Sequence, residues 1–178
     1  DDWRRDARIA GGGALMDPGV ALIDLVQYLT GQRIRAAQAV LDAPRDPAAG
    51  RVENRADALL ELDGGAAASL HVAFGTAAAA VQDGSLTVIG SRGRAVLEGV
   101  CAARDGIGAR LTVVDAEGRR ELPLEMVDLA AAALREFTFH LRGNGPCRLP
   151  NGAAALHTQA VVDATYAAAA GGRRITVE

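Results

Sequence analysis

The sequence contains no lysine: all 19 of its basic residues are arginine. A chain without a side-chain primary amine runs no Schiff-base step and no lysine acid/base step of its own. Aromatic residues are scarce too, six in all from three Phe, two Tyr and one Trp. The core must therefore come from Leu, Val, Ile and alanine, and alanine buries so little area that its elements have to approach closely. The two cysteines, Cys101 and Cys147, fit no metal or redox spacing and read as reduced structural thiols. The three histidines, His71, His140 and His157, are scattered without ligand spacing, which argues against zinc. With a net charge of -3 and no basic run, no nucleic-acid footprint is visible. Neither an apolar stretch of membrane-spanning length nor a signal peptide is read, so a soluble, cytoplasmic chain without a membrane partner is expected.

What is present suits a single domain over residues 1–178 with one sizeable core. The start at Asp1, without helix-start logic, reads as a piece of a longer protein. Residues 1–10 look irregular. Gly11-Gly12-Gly13 follows, a run that cannot sit cheaply inside a helix. Asp17-Pro18 then opens a helix, Asp as N-cap and Pro at the first helical position. Leu22, Leu25, Val26 and Leu29 recur at helical spacing and are expected to face the core, with Gly31 ending the helix.

Strands are expected at 33–43, closed by Pro44 and Pro47, and at 55–62 and 66–74 around the Asp63-Gly64-Gly65 turn. In the latter, Leu70, Val72 and Phe74 share one face and Ser69 and His71 the other. Two further hairpins are read, 85–89 with 94–98 around Gly90–Gly93, and 111–114 with 119–123 around Asp115–Gly118. A helix follows whose stripe is Val127, Ala130, Ala131, Leu134, Phe137 and Leu141, ending near Gly143–Pro146. Asn151 N-caps a second with Ala153, Leu156, Ala160, Ala164 and Ala168 as its stripe, stopped by Gly171-Gly172. Residues 174–177 form a last strand. Hairpin-joined strands followed by helices imply an α+β fold, a largely antiparallel open sheet with helices packed on one face. Without a strand–G-x-G-x-x-G–helix unit the chain holds no Rossmann domain. The face left open predicts self-association through the sheet as a homo-oligomer.

On a helix starting at Asp17, residues Asp17, Ala21, Asp24 and Tyr28 share one stripe. Asp17 has two open roles, cap or polar site group. Asp24 is a solvated helix charge or a substrate contact, and Tyr28 a core edge or a ligand. Gly12, Gly13 and Gly19 permit close backbone approach. Trp3 with Arg4 and Arg5 either anchors a linker or lines a cleft, where a flat ring holds a sugar face and Arg pairs with an anion. Glu136 and His140 suit a helix-surface pair, and all three histidines read as structural.

The segment Gly11-Gly12-Gly13-Ala14-Leu15-Met16-Asp17-Pro18-Gly19-Val20-Ala21-Leu22-Ile23-Asp24 resembles the G-G-G-x-x-x-D-x-G-x-H-x-x-D motif. That motif opens the C-terminal domain of the glucose–fructose oxidoreductase / inositol dehydrogenase / MocA family. The Gly90–Gly93 hairpin and the Asp163-Ala164-Thr165-Tyr166…Gly171-Gly172-Arg173 tail resemble that family's G-x-x-G pair and D-A-x-Y…G-R ending, so the likeness spans essentially the whole chain. The resemblance implies a glyceraldehyde-3-phosphate dehydrogenase-like C-terminal fold, paired with an N-terminal Rossmann domain that holds NAD or NADP. It implies a substrate such as a sugar or polyol, and a lysine from a Glu-Lys-Pro segment upstream of Asp1. It maps the motif's first aspartate, the catalytic candidate, to Asp17 and the second to Asp24. It places Asp24, Gly13, Gly19, Trp3 and Arg4 on the substrate side.

The motif's histidine falls on Ala21. A methyl group cannot take the proton that oxidation of a hydroxyl releases, and a missing general base costs on the order of 10²–10⁴ in rate. Three readings follow from the resemblance: the upstream lysine is the base with Asp17 tuning it, another group substitutes, or the domain binds sugar and cofactor without turnover. The 178-residue chain alone is expected to be inactive.

Overall fold

Period-two burial sets the first sheet. Along Arg55–Leu62, Ala56, Ala58, Leu60 and Leu62 are buried while their neighbours Arg55, Asp57, Leu59 and Glu61 turn outward. The computed structural model describes residues 3–43, 48, 50–74, 84–99, 110–124 and 128–178. It divides into two compact units, Asp1–Phe74 with Pro150–Glu178, and Gly75–Leu149.

In the first unit, β1 (Ile34–Leu41), β2 (Arg55–Leu62), β3 (Ala67–Ala73) and β8 (Ile175–Thr176) form an antiparallel sheet in the order β3-β2-β1-β8. A register shift between Ile34 and Ala36 lets β1 bury two consecutive alanines, Ala36 and Ala37. One sheet face is covered by α2 (Val20–Thr30) and α4 (Gly152–Gly171). Leu15, Ile23, Ile34, Leu60, Leu62, Val161 and Val162 are fully buried between the layers. The alanines let α4 lie close on β1, the solution the aromatic-poor composition required. Three short elements precede α2: a 3₁₀ turn at Trp3–Arg5, α1 (Ala7–Ala10), N-capped by Asp6, and a π-type turn at Leu15–Gly19. The stretch read as irregular is thus partly helical.

The helix faces match those read in the sequence in part, since Leu22 and Val26 of α2 do pack against the core. On α2 the fully buried residue is Ile23, and Leu29 is exposed. On α4 the buried set is Thr158, Val161, Val162, Ala164, Thr165, Tyr166 and Ala168, so Ala164 and Ala168 of the expected stripe lie inside while Leu156 is 73% exposed. Alanine on every side of α4 removes the contrast by which a buried face is recognised.

The helical run Ala7–Thr30 is, by length and composition, long and apolar enough to cross a membrane, contrary to the expectation above. A crossing helix needs its backbone groups satisfied within the segment. Here the chain turns left-handed at Gly11 (φ 77) and extended at Asp17 (φ -150, ψ 99), and the amides of Gly13 and Leu15 bond Glu53.

In the second unit, β4 (Ser85–Gly90), β5 (Gly93–Glu98), β6 (Arg110–Asp115) and β7 (Gly118–Leu122) form a separate antiparallel meander. The strands therefore fall into two four-stranded sheets, within the expected α+β antiparallel class. The helix α3 (Leu129–Leu141), capped by Asp128, keeps Leu134, Phe137 and Leu141 exposed, so the stripe expected in the core is a surface here. Pro44, Pro47, Cys101 and Val127 lie outside the described residues. Cys147 is a free thiol.

Candidate functional site

The glycine run is shaped by what lies beneath it. A Cβ on Gly13 would sit 1.9 Å from the Glu53 carbonyl oxygen, and one on Gly12 would sit 2.1 Å from the Tyr166 hydroxyl. At Gly13 only glycine fits without a backbone shift, whereas at Gly12 a Cβ would displace the Tyr166 and Met16 side chains. Gly19 is similarly enclosed, its absent Cβ 3.1 Å from the Ala14 carbonyl and 3.5 Å from Val72. Gly13 and Gly19, read as backbone facing a substrate, are buried, and the room they leave is taken up inside the chain.

Glu53 organises this loop. It is fully buried, and its Oε1 accepts from Gly13 N (3.1 Å), Leu15 N (2.9 Å) and Tyr166 Oη (2.8 Å). Its own carbonyl accepts from Ala14 N at 3.1 Å. The other carboxyl oxygen, Oε2, is buried and has no hydrogen-bond partner among the described residues. Sequence reasoning missed Glu53, since nothing in Val52-Glu53-Asn54 marks an acid as buried. Tyr166 was noticed only as part of the D-A-x-Y tail.

Beyond the loop the chain turns outward. Gly19 N bonds the Ala14 carbonyl at 2.9 Å, and the intervening Asp17 leaves helical geometry through a cis bond to Pro18. Helix α2 has no side-chain cap, so the capping role read for Asp17 is not observed. Its carboxylate instead accepts from Arg4 Nε at 3.0 Å, and the Arg4 guanidinium stacks 5.1 Å from the Trp3 ring centre. Trp3, Arg4, Ala10, Gly12, Met16 and Asp17 enclose a cleft of about 200 Å³. It unites four of the residues picked from sequence, with an aromatic ring, a cation and an anion in its lining.

Asp24 is not in that lining. Its Oδ1 accepts from the buried Thr158 hydroxyl at 3.1 Å, and Thr158 accepts from Gln27 Nε2 at 3.1 Å. Gln27 Oε1 in turn accepts from Ile34 N, so this chain of bonds ties α2 to α4 and β1. Ala21 and Tyr28 are exposed on α2. His71 pairs with Asp57 at 2.5 Å, and His157 and His140 lie against the carbonyls of Ile34 and Gly145. The expected Glu136–His140 pair is replaced by Glu136 with Arg148, which hold each other through both carboxylate oxygens. That pair borders a larger open groove of about 550 Å³ in the second unit, where none of the site candidates read from sequence lies.

Among the described residues no group of His, Cys, Asp and Glu is placed to hold a metal ion. Nor do they fit a dinucleotide. Both described sheets are antiparallel, and two amides of the glycine loop, Gly13 N and Leu15 N, already bond Glu53 and are not free for a phosphate.

The sequence matches the model of the GFO/IDH/MocA C-terminal domain over residues 1–96. No curated protein sequence matches the chain. Among solved structures it is similar to the aldose–aldose oxidoreductase of Caulobacter crescentus, solved with glycerol, at 24% identity and TM-score 0.83. That alignment covers 99% of this chain and 51% of that one. It is also similar to an NAD-binding oxidoreductase from Klebsiella pneumoniae, at 21% identity and TM-score 0.80, over 100% and 54% of the two chains. A levoglucosan dehydrogenase, solved with NADH and levoglucosan, aligns at 20% identity and TM-score 0.79 over 99% and 53%. The chain thus spans about half the length of these solved relatives.

Proposed function

The chain belongs to the GFO/IDH/MocA C-terminal domain family, and from that premise we propose that it is the substrate-side domain of an NAD- or NADP-dependent oxidoreductase acting on a sugar, a polyol or a related hydroxyl or carbonyl compound. One observation carries the reading: the cleft on the glycine loop brings Trp3, Arg4, Gly12 and Asp17 together in its lining. An indole face packs on the C–H face of a pyranose, and a carboxylate with a guanidinium pairs with hydroxyls or an acid group. The nucleotide belongs to a partner half with the Rossmann fold, because the described residues offer it no cradle. Asp17 is the polar group assigned to the reacting end of the substrate, and Asp24 acts as a brace for α2 beside it.

Ala21 favours a second reading, a binding or regulatory module of the same fold that holds its ligand without turnover. The first test is the coding sequence preceding Asp1. A strand–G-x-G-x-x-G–helix unit with a Glu-Lys-Pro segment is expected, and reduction of NAD⁺ or NADP⁺ is then assayed with aldoses, inositols and polyols. Absence of the nucleotide unit or of the lysine transfers the assignment to the binding module.

Self-association belongs to the same proposal. The face of the first sheet away from α2 and α4 carries the exposed Val40 and Leu59 among charged neighbours. Light scattering at micromolar concentration is expected to give a homo-oligomer, and Leu59→Arg a monomer of unchanged fold. A cytoplasmic setting, without membrane or nucleic acid, completes the reading.

A further inference from the structure

We infer that Glu53 is a positioning residue of the cleft, a buried latch that fixes the wall formed by Gly12, Met16 and Asp17. This rests on the reading of that cleft as the substrate wall and adds the device that sets its shape.

Three hydrogen-bond donors converge on a single carboxyl oxygen, from Gly13, Leu15 and Tyr166, at sequence separations of 40, 38 and 113. The loop alternates around that point. Gly13 and Leu15 point their amides inward, while Gly12, Met16 and Asp17 line the cleft. The Tyr166 hydroxyl does double duty, since it bonds Glu53 and fills the space where a Gly12 Cβ would be. Any shift of the carboxyl group must therefore move the cleft wall.

A latch needed only for stability has less demanding alternatives. Burying a carboxyl group is costly, and the cost grows when one oxygen finds no partner, as Oε2 finds none among the described residues. Retaining an acid in such a place is intelligible where it fixes a geometry that function requires.

Trp3 is the sole tryptophan of the chain and sits in the cleft, so its fluorescence reads the wall directly, without cofactor or substrate. The experiment measures Trp3 emission and acrylamide quenching in the 178-residue chain, with circular dichroism and melting as controls for folding. Tyr166→Phe and Glu53→Ala are expected to shift the emission to longer wavelength and raise quenching while the chain stays folded. Glu53→Gln keeps the Oε1 acceptor and is expected to restore the parent emission despite a lower Tm. Val161→Ala, in the core but outside the latch, is expected to lower Tm with no change in emission. If Glu53→Ala does not fold, Tyr166→Phe carries the test alone. Unchanged Trp3 signals in the folded latch variants, or an equal shift in Val161→Ala, overturn the inference. Failure of turnover in the enzyme assay bears on the substrate reading and leaves this optical result independent.

Discussion

Arg4 donates its Nε to Oδ2 of Asp17 across 3.0 Å, linking the first described turn of the chain to the kinked segment before α2, thirteen residues later. Both side chains are about half exposed, at 45% and 57%. An ion pair this open contributes less than about 1 kcal/mol to stability. Its conspicuous effect is on direction: the carboxylate faces the cleft rather than the helix amides.

Asp17→Asn should therefore be nearly silent in melting experiments and severe in function. The expected loss in kcat/KM of the proposed oxidoreductase is on the order of 10²-fold, the usual effect of removing an acid/base participant. Melting curves and steady-state kinetics on the same preparation check both halves. A variant with full activity would remove Asp17 from the site.

The glycines separate two physical causes that sequence alone merges. Gly13→Ala forces a Cβ to within 1.9 Å of a backbone carbonyl that cannot swing aside. The expected cost is about 3 kcal/mol or more, a fall in Tm of roughly 6–12 °C. Gly11→Ala meets no atom within 4 Å but must hold φ at +77. Its cost is the left-handed backbone alone, about 1–2 kcal/mol. Equal losses for the two would contradict the enclosure of Gly13.

Acid sensitivity has one clear source in the second unit. Arg148 binds Glu136 through its guanidinium and its backbone amide, which lowers the Glu136 pKa from 4.5 to about 2. A carboxylate depressed on folding stabilises the native state above its unfolded pKa, near 4.5. That contribution is lost as pH falls from there through about 2. Carbon-detected NMR titration should place the Glu136 midpoint near the lower value, and Arg148→Ala should return it toward the ordinary carboxylate range. A midpoint unmoved by Arg148→Ala would show that the pair does not set it.

The strands were legible because their signals are local. Asp63-Gly64-Gly65 and Gly90–Gly93 do make turns, and alternation in 55–62 places Ala56, Ala58, Leu60 and Leu62 inside. Trp3, Arg4, Gly12 and Asp17, picked through motif spacing and residue chemistry, line one cleft. What escaped depends on contacts between distant segments. The acid at position 53 lies 113 residues from the tyrosine that completes its bonding, and no local pattern announces that meeting. Asp24 escaped for the same reason, since Thr158 claims it from α4. In α4 the alanines blur the apolar face, so the buried stripe through Val161, Val162 and Tyr166 became visible only with the sheet in place.

Ala21 supplies the sharpest test of whether the site turns over. It is exposed in the first turn of α2, four residues after Asp17 in sequence, so a larger side chain enters solvent-accessible space without disturbing the core. Neutral imidazole accepts a proton, and a methyl group does not. Ala21→His in the proposed oxidoreductase is accordingly expected to raise turnover by on the order of 10²–10⁴. The gain should appear only as the imidazole deprotonates, so the rate should rise with pH through about 6.5. Steady-state rates from pH 5 to 9, parent against variant, measure both the size and the pH signature. A gain with that signature identifies a site that has lost its base and kept the rest. If rate and pH profile are unchanged, another group already takes the proton or no transfer occurs at this cleft. In the latter case the Asp17→Asn loss in kcat/KM will also be absent.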